Sequence, residues 1–229
     1  MKKTTLALTV ILFSFGAIAQ DRDNVKQKEL TFNSGIDTLQ YALGAHLGQW
    51  MVKNNFQVQN ANLFLLGMDD VLNKRKLAIP DSIITPLIVV YQQATLNEKS
   101  KLLEQQLFSS LKGKTGVGVL PNGVHYIIRR QDEGVRPTAN NTVSINAVGV
   151  LPDGSIFEDT YKKKQPITTS LNNIIPGLKE VIQLMPVGSV WRIFIPSELG
   201  YGAAGLQNVV PPYSALVYDI ELLEIKDQE

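Results

Sequence analysis

The chain has 229 residues, two histidines and no cysteine. Without a thiol there can be no disulfide, no thiolate nucleophile and no cysteine-type metal site. Charged residues make up 19% and the net charge is +1, so the basic footprint left by nucleic-acid binding is missing.

The opening stretch, MKKTTLALTVILFSFGAIAQ, sets Lys2 and Lys3 before an apolar run from Leu6 to Phe15, followed by Ala17-Ile18-Ala19. That order is the pattern of a secretory signal cut after Ala19. The alternative is an uncleaved anchor, but the run is short for a bilayer span of about 20 residues. Cleavage would remove both lysines and take the net charge from +1 to −1. No cysteine near the cut is available to carry a lipid. The expected location is therefore the periplasm or outer surface of a Gram-negative-type bacterium, with no membrane span after cleavage.

From Ser34 to Gly113 the apolar period is helical. Ile36, Leu39, Leu43, Leu47 and Trp50 recur at spacings of three and four, and Ser34 with Asp37 reads as a capping box. A second helix fits NANLFLLGMDDVLNKR, with Asn60 as cap and Leu63, Phe64, Met68, Val71 and Leu72 on one side. Gly44, Gly48 and Gly67 each cost about 1 kcal/mol against alanine. They mark either local looseness or close approach of another helix. A third helix is predicted from Thr85-Pro86 to Lys112, about 40 Å long. Its middle, QQATLNEKSK, has almost no apolar face, so it reads as a connector between two bodies or a partner for another chain. These helices make a thin core alone, and a homodimer through residues 34–112 is expected.

From Gly116 the period becomes two. GVHYIIRR, NTVSINAVGV, SVWRIFIP and ALVYDIELLEI read as strands, punctuated by turns at Pro121-Asn122-Gly123 and Pro152-Asp153-Gly154. One short helix interrupts at IPGLKEVIQLM, with Pro176 in its first turn and Leu178, Val181, Ile182 and Met185 inward. Strands with a single helix predict an α+β domain, an antiparallel sheet wrapped over that helix.

The stretch GYGAAGLQNVVPP, residues 200–212, fits the G-x-G-x-x-G spacing of a dinucleotide loop. Such a loop must open a helix that holds the phosphate. Pro211-Pro212 forbids that helix. What remains is an irregular loop bearing Tyr201, Leu206, Val209 and Val210, placed to roof an apolar pocket between sheet and helix. Apolar walls with one convergent hydroxyl are the usual make-up of a ligand site. His46 and His125 lie far apart in sequence, and no G-x-S-x-G elbow is present.

The stretches LPDGSIFEDT, IIPGLKEVIQLMPVGSVWRIFIP, LGYGAAG, VVPP and ALVYDIELLEI stand in the order and spacing of the FKBP family of peptidyl-prolyl isomerases, which the C-terminal half resembles. The N-terminal half, around IDTLQYALGAHLG and LFLLGMDDVL, is similar to the helical dimerisation domain of Mip-like members. The resemblance implies three parts: a signal over 1–19, a helical dimerisation domain with connecting helix over 20–112, and an isomerase domain over 113–229. It implies a half-barrel sheet curled over the short helix, with substrate proline between them. Phe157 falls on the pocket phenylalanine, Glu158 on the pocket acid and Tyr201 on the tyrosine that bonds a substrate carbonyl. Ile174 and Ile175 match the pair whose backbone meets the ligand. Leu178 stands where many members have a tryptophan floor. Ile167, Leu206, Val209 and Val210 complete the lining. Ala147 replaces a tyrosine and Tyr218 a phenylalanine.

The implied chemistry is rotation about an X–Pro amide in unfolded or partly folded clients, with macrolides as possible inhibitors. No bond breaks, so no nucleophile, metal or cofactor is called for. The rival reading is a periplasmic chaperone or binding module with a weak or vestigial pocket. It rests on Ala147, Glu158, Tyr218 and the helical arm.

Overall fold

The computed structural model describes residues 32–226; the expected leader lies outside them. The chain divides into two compact units, one ending at Trp50 and one beginning at Met51. In the first, helix α1 (Gly35–Lys53) starts at Ser34, whose Oγ accepts the Asp37 N–H at 3.2 Å. The Asp37 carboxylate reaches back to the Asn33 N–H at 3.1 Å, a reciprocal cap displaced by one residue. No side chain of α1 is buried.

Helix α2 (Ala61–Leu72) is capped as its sequence predicts, with Asn60 Oδ1 accepting the Leu63 N–H at 3.1 Å. It too buries nothing, and a Cβ added at Gly67 would meet open space. Helix α3 (Asp81–Leu111) starts four residues before the expected Thr85. Pro80 takes the N-cap and Asp81 complements the first turn, which leaves Pro86 inside the helix. Pro86 forfeits the bond an N–H would have made to the Ser82 carbonyl, and its ring crowds that carbonyl. The helix ends as predicted within a residue, at Leu111 before Gly113, whose φ of +71° favours glycine.

The two ends of α3 differ. Ile83, Leu87, Ile88, Val89 and Val90 are exposed, whereas Ser100 and Leu111 are buried. Leu96, Leu103, Leu107 and Phe108 are half-buried.

The remainder is an antiparallel seven-stranded sheet: β1 (Gly118–Val119), β2 (His125–Arg130), β3 (Thr142–Val150), β4 (Ile156–Asp159), β5 (Ile167–Ser170), β6 (Val190–Ile195) and β7 (Leu216–Lys226). Its order is β1-β2-β6-β7-β3-β4, and β5 also pairs with β3. The one-turn helix α4 (Thr160–Lys163) links β4 towards β5, and α5 (Pro176–Ile182) precedes β6. Alternation along β3 and β7 turns Val143, Ile145, Ala147, Tyr218, Ile220 and Leu222 into the core. Helix α5 closes that core with Leu178, Val181 and Ile182, and Met185 follows it inward. Pro176 occupies its first turn, where a missing N–H costs nothing. At Gly177 a Cβ would strike Ile195, so the glycine lets helix and sheet close on each other.

Candidate active site

Three segments converge on one end of this core. Strand β4 supplies Phe157, whose ring meets that of Tyr218 edge-on, with centroids 5.3 Å apart and planes at 84°. Between the strands that carry them lies Gly149 of β3, paired with Tyr218 on one side and Glu158 on the other. A Cβ at 149 would stand 2.6 Å from the Phe157 ring and 3.0 Å from that of Tyr218. Glycine is therefore what allows the two rings to meet across the strand. Ala147 is fully buried, with its N–H held by Thr160 Oγ1 at 2.9 Å.

Helix α5 supplies the opposite wall. Leu178 is buried, and Ile174 and Ile175 pack half-buried against the same cluster. The Ile175 carbonyl accepts the Leu178 and Lys179 N–H groups at 3.1 and 3.2 Å, which opens the helix. Its own N–H meets no acceptor among the described residues and is left as a free donor.

The third segment is the loop between β6 and β7. Leu206 and Val210 pair through two backbone bonds of 2.8 Å. Gly205 sits at φ +65°, where its Cβ would strike the Val210 carbonyl oxygen. The fold over Val210 thus needs glycine twice, for its backbone angle and for its missing side chain. Val210 is driven into the core and Tyr201 packs beside it, while Leu206 and Val209 stay 39% and 43% exposed on the outer side of the loop.

The structure therefore gathers Ala147, Phe157, Ile167, Ile174, Ile175, Leu178, Tyr201, Val210 and Tyr218 in one apolar cluster. Leu206 and Val209 lie outside it, and so does Glu158. The polar groups collect at one rim. Burial, first of all, holds the Tyr218 hydroxyl well above the usual tyrosine range, and the neighbouring Tyr201 hydroxyl and Glu158 carboxylate push it the same way. Tyr218 accordingly stays a neutral hydroxyl. Glu158 pairs with Lys163 Nζ at 2.6 Å, an exposed contact worth little in stability. It does fix which way the carboxylate faces.

The model of the FKBP-type peptidyl-prolyl cis-trans isomerases matches residues 133–223, and that of the domain amino terminal to such isomerases matches residues 36–128. The FKBP-type isomerase FkpA of Aeromonas hydrophila is 32% identical over 203 residues, which cover 81% of this chain and 75% of that protein. The chain belongs to the FKBP-type peptidyl-prolyl cis-trans isomerases. It is also similar to the outer membrane protein MIP of Legionella longbeachae, at 29% identity over 99% of this chain and 98% of that one. The crystal structure of FkpA from Escherichia coli superposes with a TM-score of 0.60 at 26% identity, covering 86% of this chain and 99% of the other.

Two residues at this candidate site were missed in the sequence. Gly149 was recognisable as a glycine inside a strand, a mark of close approach. Lys163 carried no signal within the run Lys162-Lys163-Lys164; only its contact with Glu158 singles it out.

Proposed function

We propose that the cluster of Phe157, Ile175, Leu178, Tyr201, Val210 and Tyr218 is where this isomerase binds the X–Pro segment of exported client proteins. The observation that carries the proposal is the convergence of an apolar floor with two polar groups, the Tyr201 hydroxyl, which shares a hydrogen bond with Tyr218, and the Ile175 N–H. Amide resonance sets a barrier of about 18–20 kcal/mol to rotation, so the uncatalysed step takes tens to hundreds of seconds. The planar amide is the more charge-separated form. An apolar wall formed by Phe157 and Leu178 desolvates its carbonyl and penalises the planar state more than the twisted one. Tyr201 donates to a substrate carbonyl and Ile175 N–H to the backbone beside it, which holds the chain while the prolyl ring turns. This is differential binding of the transition state, and each 1.36 kcal/mol of it is worth tenfold in rate. Glu158, turned towards Lys163, orients the rim rather than taking a proton.

Replacing Phe157 by alanine tests the pocket. We expect at least a tenfold loss in kcat/KM for a proline tetrapeptide with the circular dichroism unchanged. A folded Phe157→Ala variant with the parent's activity would remove the pocket from this cluster and favour the binding-module reading.

The helical part is proposed to form a homodimer. In α1, Ile36, Leu39 and Leu43 are 70%, 57% and 57% exposed, and in α2 Leu63, Leu65 and Leu66 are as open. Runs of exposed leucine this dense mark an interaction surface. Two joined pockets would raise the local concentration of a long client. Light scattering should give a dimeric mass for the protein and a monomeric mass once residues 34–112 are removed. Export is proposed from the leader, and N-terminal sequencing of the exported protein should begin at Gln20. Among the described residues no helix is long and apolar enough to cross a membrane.

A further inference from the structure

The loop that carries Tyr201 and Val210 leaves the sheet at Ser197 and returns at Ser214. Both feet are buried, at 6% exposure each. Both are gripped by α3, which lies outside the sheet. Ser214 Oγ donates to Ser100 Oγ at 3.2 Å. The Ser197 N–H, at the start of a single turn of 3-10 helix with no intrahelical partner, donates to both carboxylate oxygens of Glu104 at 3.2 and 3.3 Å. Ser100 and Glu104 are four residues apart, hence stacked on one face of the helix. Between them Lys101 lays its ammonium 4.7 Å over the ring of Tyr213, whose N–H in turn closes the loop on the Gly202 carbonyl at 2.9 Å.

These contacts are not broad packing. A cleft of about 680 Å³ opens between Glu104 and Phe108 on one side and Ser197, Gly202 and Tyr213 on the other. The polar contacts of the helix with the loop fall at the loop's two feet, and beside the second foot Leu96 and Leu103 line a small cavity with Pro211. Further along, Phe108 and His125 rings at 5.1 Å and buried Leu111 seat the same stripe on the sheet, so the helix is a fixed base and not a tether.

We infer that Ser100 and Glu104 are positioning residues of the isomerase: the C-terminal part of α3 clamps both feet of the Tyr201–Val210 loop and so sets the geometry of the substrate pocket. The inference rests on the assignment of Tyr201 and Val210 to that pocket. The helix counted with the arm on sequence grounds is then a working part of the catalytic half.

The test uses the full chain with four variants: Ser100→Ala, Glu104→Ala, Glu104→Gln and, as reference, Phe157→Ala. Steady-state kcat and KM for a proline tetrapeptide are read beside hydrogen exchange of the Ser197, Gly202 and Tyr213 amides. Loss of one such bond lowers kcat/KM by about two- to tenfold. Glu104→Ala should show this loss, mainly in KM, with faster exchange at Ser197 and Gly202. Glu104→Gln keeps an acceptor in place and should recover most of both. A merely structural role would lower the melting temperature and leave the kinetics of the folded protein untouched. Should Glu104→Ala not fold, Ser100→Ala removes only a hydroxyl and carries the same expectation at Tyr213. The clamp is overturned if Ser100→Ala and the folded Glu104 variants keep the parent's kcat/KM while Phe157→Ala loses activity. If Phe157→Ala also keeps it, the pocket assignment has failed instead, and the clamp with it.

Discussion

Replacing Gly149 by alanine adds one methyl group between the two rings proposed to form the pocket wall. It would stand 2.6 Å from Phe157, against the 3.4 Å at which ordinary contact begins, so a ring must retreat by about 0.8 Å. Tyr218 is buried and boxed in by the core, whereas Phe157 is only half-buried at the pocket side. Phe157 is therefore the ring that moves. Overpacking costs about 1–3 kcal/mol, while relief of glycine's chain entropy in a strand returns about 0.5–1 kcal/mol. The net destabilisation is about 0–2.5 kcal/mol, a fall in melting temperature of at most about 10 °C for a chain of this size. The effect on catalysis is larger. A misplacement near 1 Å at a reacting site costs up to about a hundredfold, so kcat/KM should fall about 10- to 100-fold in protein that remains folded. Peptide isomerisation and thermal melting on one preparation decide the matter. In a Phe157→Leu background, where the ring is already gone, the same alanine should cost much less, and that non-additivity is the signature of direct contact. A folded Gly149→Ala variant within threefold of the parent would refute the claim that these rings bound the substrate site.

Tyr201→Phe removes one donor and should lower kcat/KM about two- to tenfold, the net worth of one hydrogen bond, with no change in melting temperature. Gly205→Ala sets a Cβ against the Val210 carbonyl at a positive φ, so a peptide assay should show a larger loss of activity than for Tyr201→Phe. On the outer face of the sheet, the Glu221 carboxyl is held below the usual 4.5, chiefly by the Tyr161 hydroxyl at 2.8 Å and then by Arg130. Its contribution is complete above pH 4.5 and is lost as pH falls through the lower folded value, so in denaturant titrations the deficit of Glu221→Gln should shrink towards pH 3. Tyr161 is raised to about 12, first by burial and then by Glu221; its stabilisation is complete below pH 10 and lost as pH rises to about 12, and Tyr161→Phe should flatten that alkaline limb.

What could be read from the sequence was what local pattern decides. Helix α5 announced itself through Pro176 in its first turn and the inward spacing of Leu178, Val181 and Ile182, all three of which are buried. Strands β3 and β7 showed their period of two. Proline preference at the first turn put the start of α3 at Thr85-Pro86, whereas the helix opens at Asp81 behind Pro80. Strands β4 and β5 are four residues each, too short to carry a period, and Phe157 was placed only through the family resemblance. The hardest feature was the role of Ser100 and Glu104. Ser100 falls in QQATLNEKSK, a stretch with almost no apolar face, and Glu104 lies just beyond it. Such a stretch reads as solvated, because hydrophobic pattern registers only partners made of hydrocarbon. The loop feet offer α3 something else, a backbone N–H at Ser197 and a hydroxyl at Ser214, and polar side chains are the only ones that can meet them. Where a helix meets exposed backbone the contacting residues must be polar, and here they stand among half-buried Leu96, Leu103 and Leu107. The polar middle of α3 that reads as a connector is therefore also what docking against a loop requires, and the two are separated only by what lies across from Ser100 and Glu104 in the folded chain.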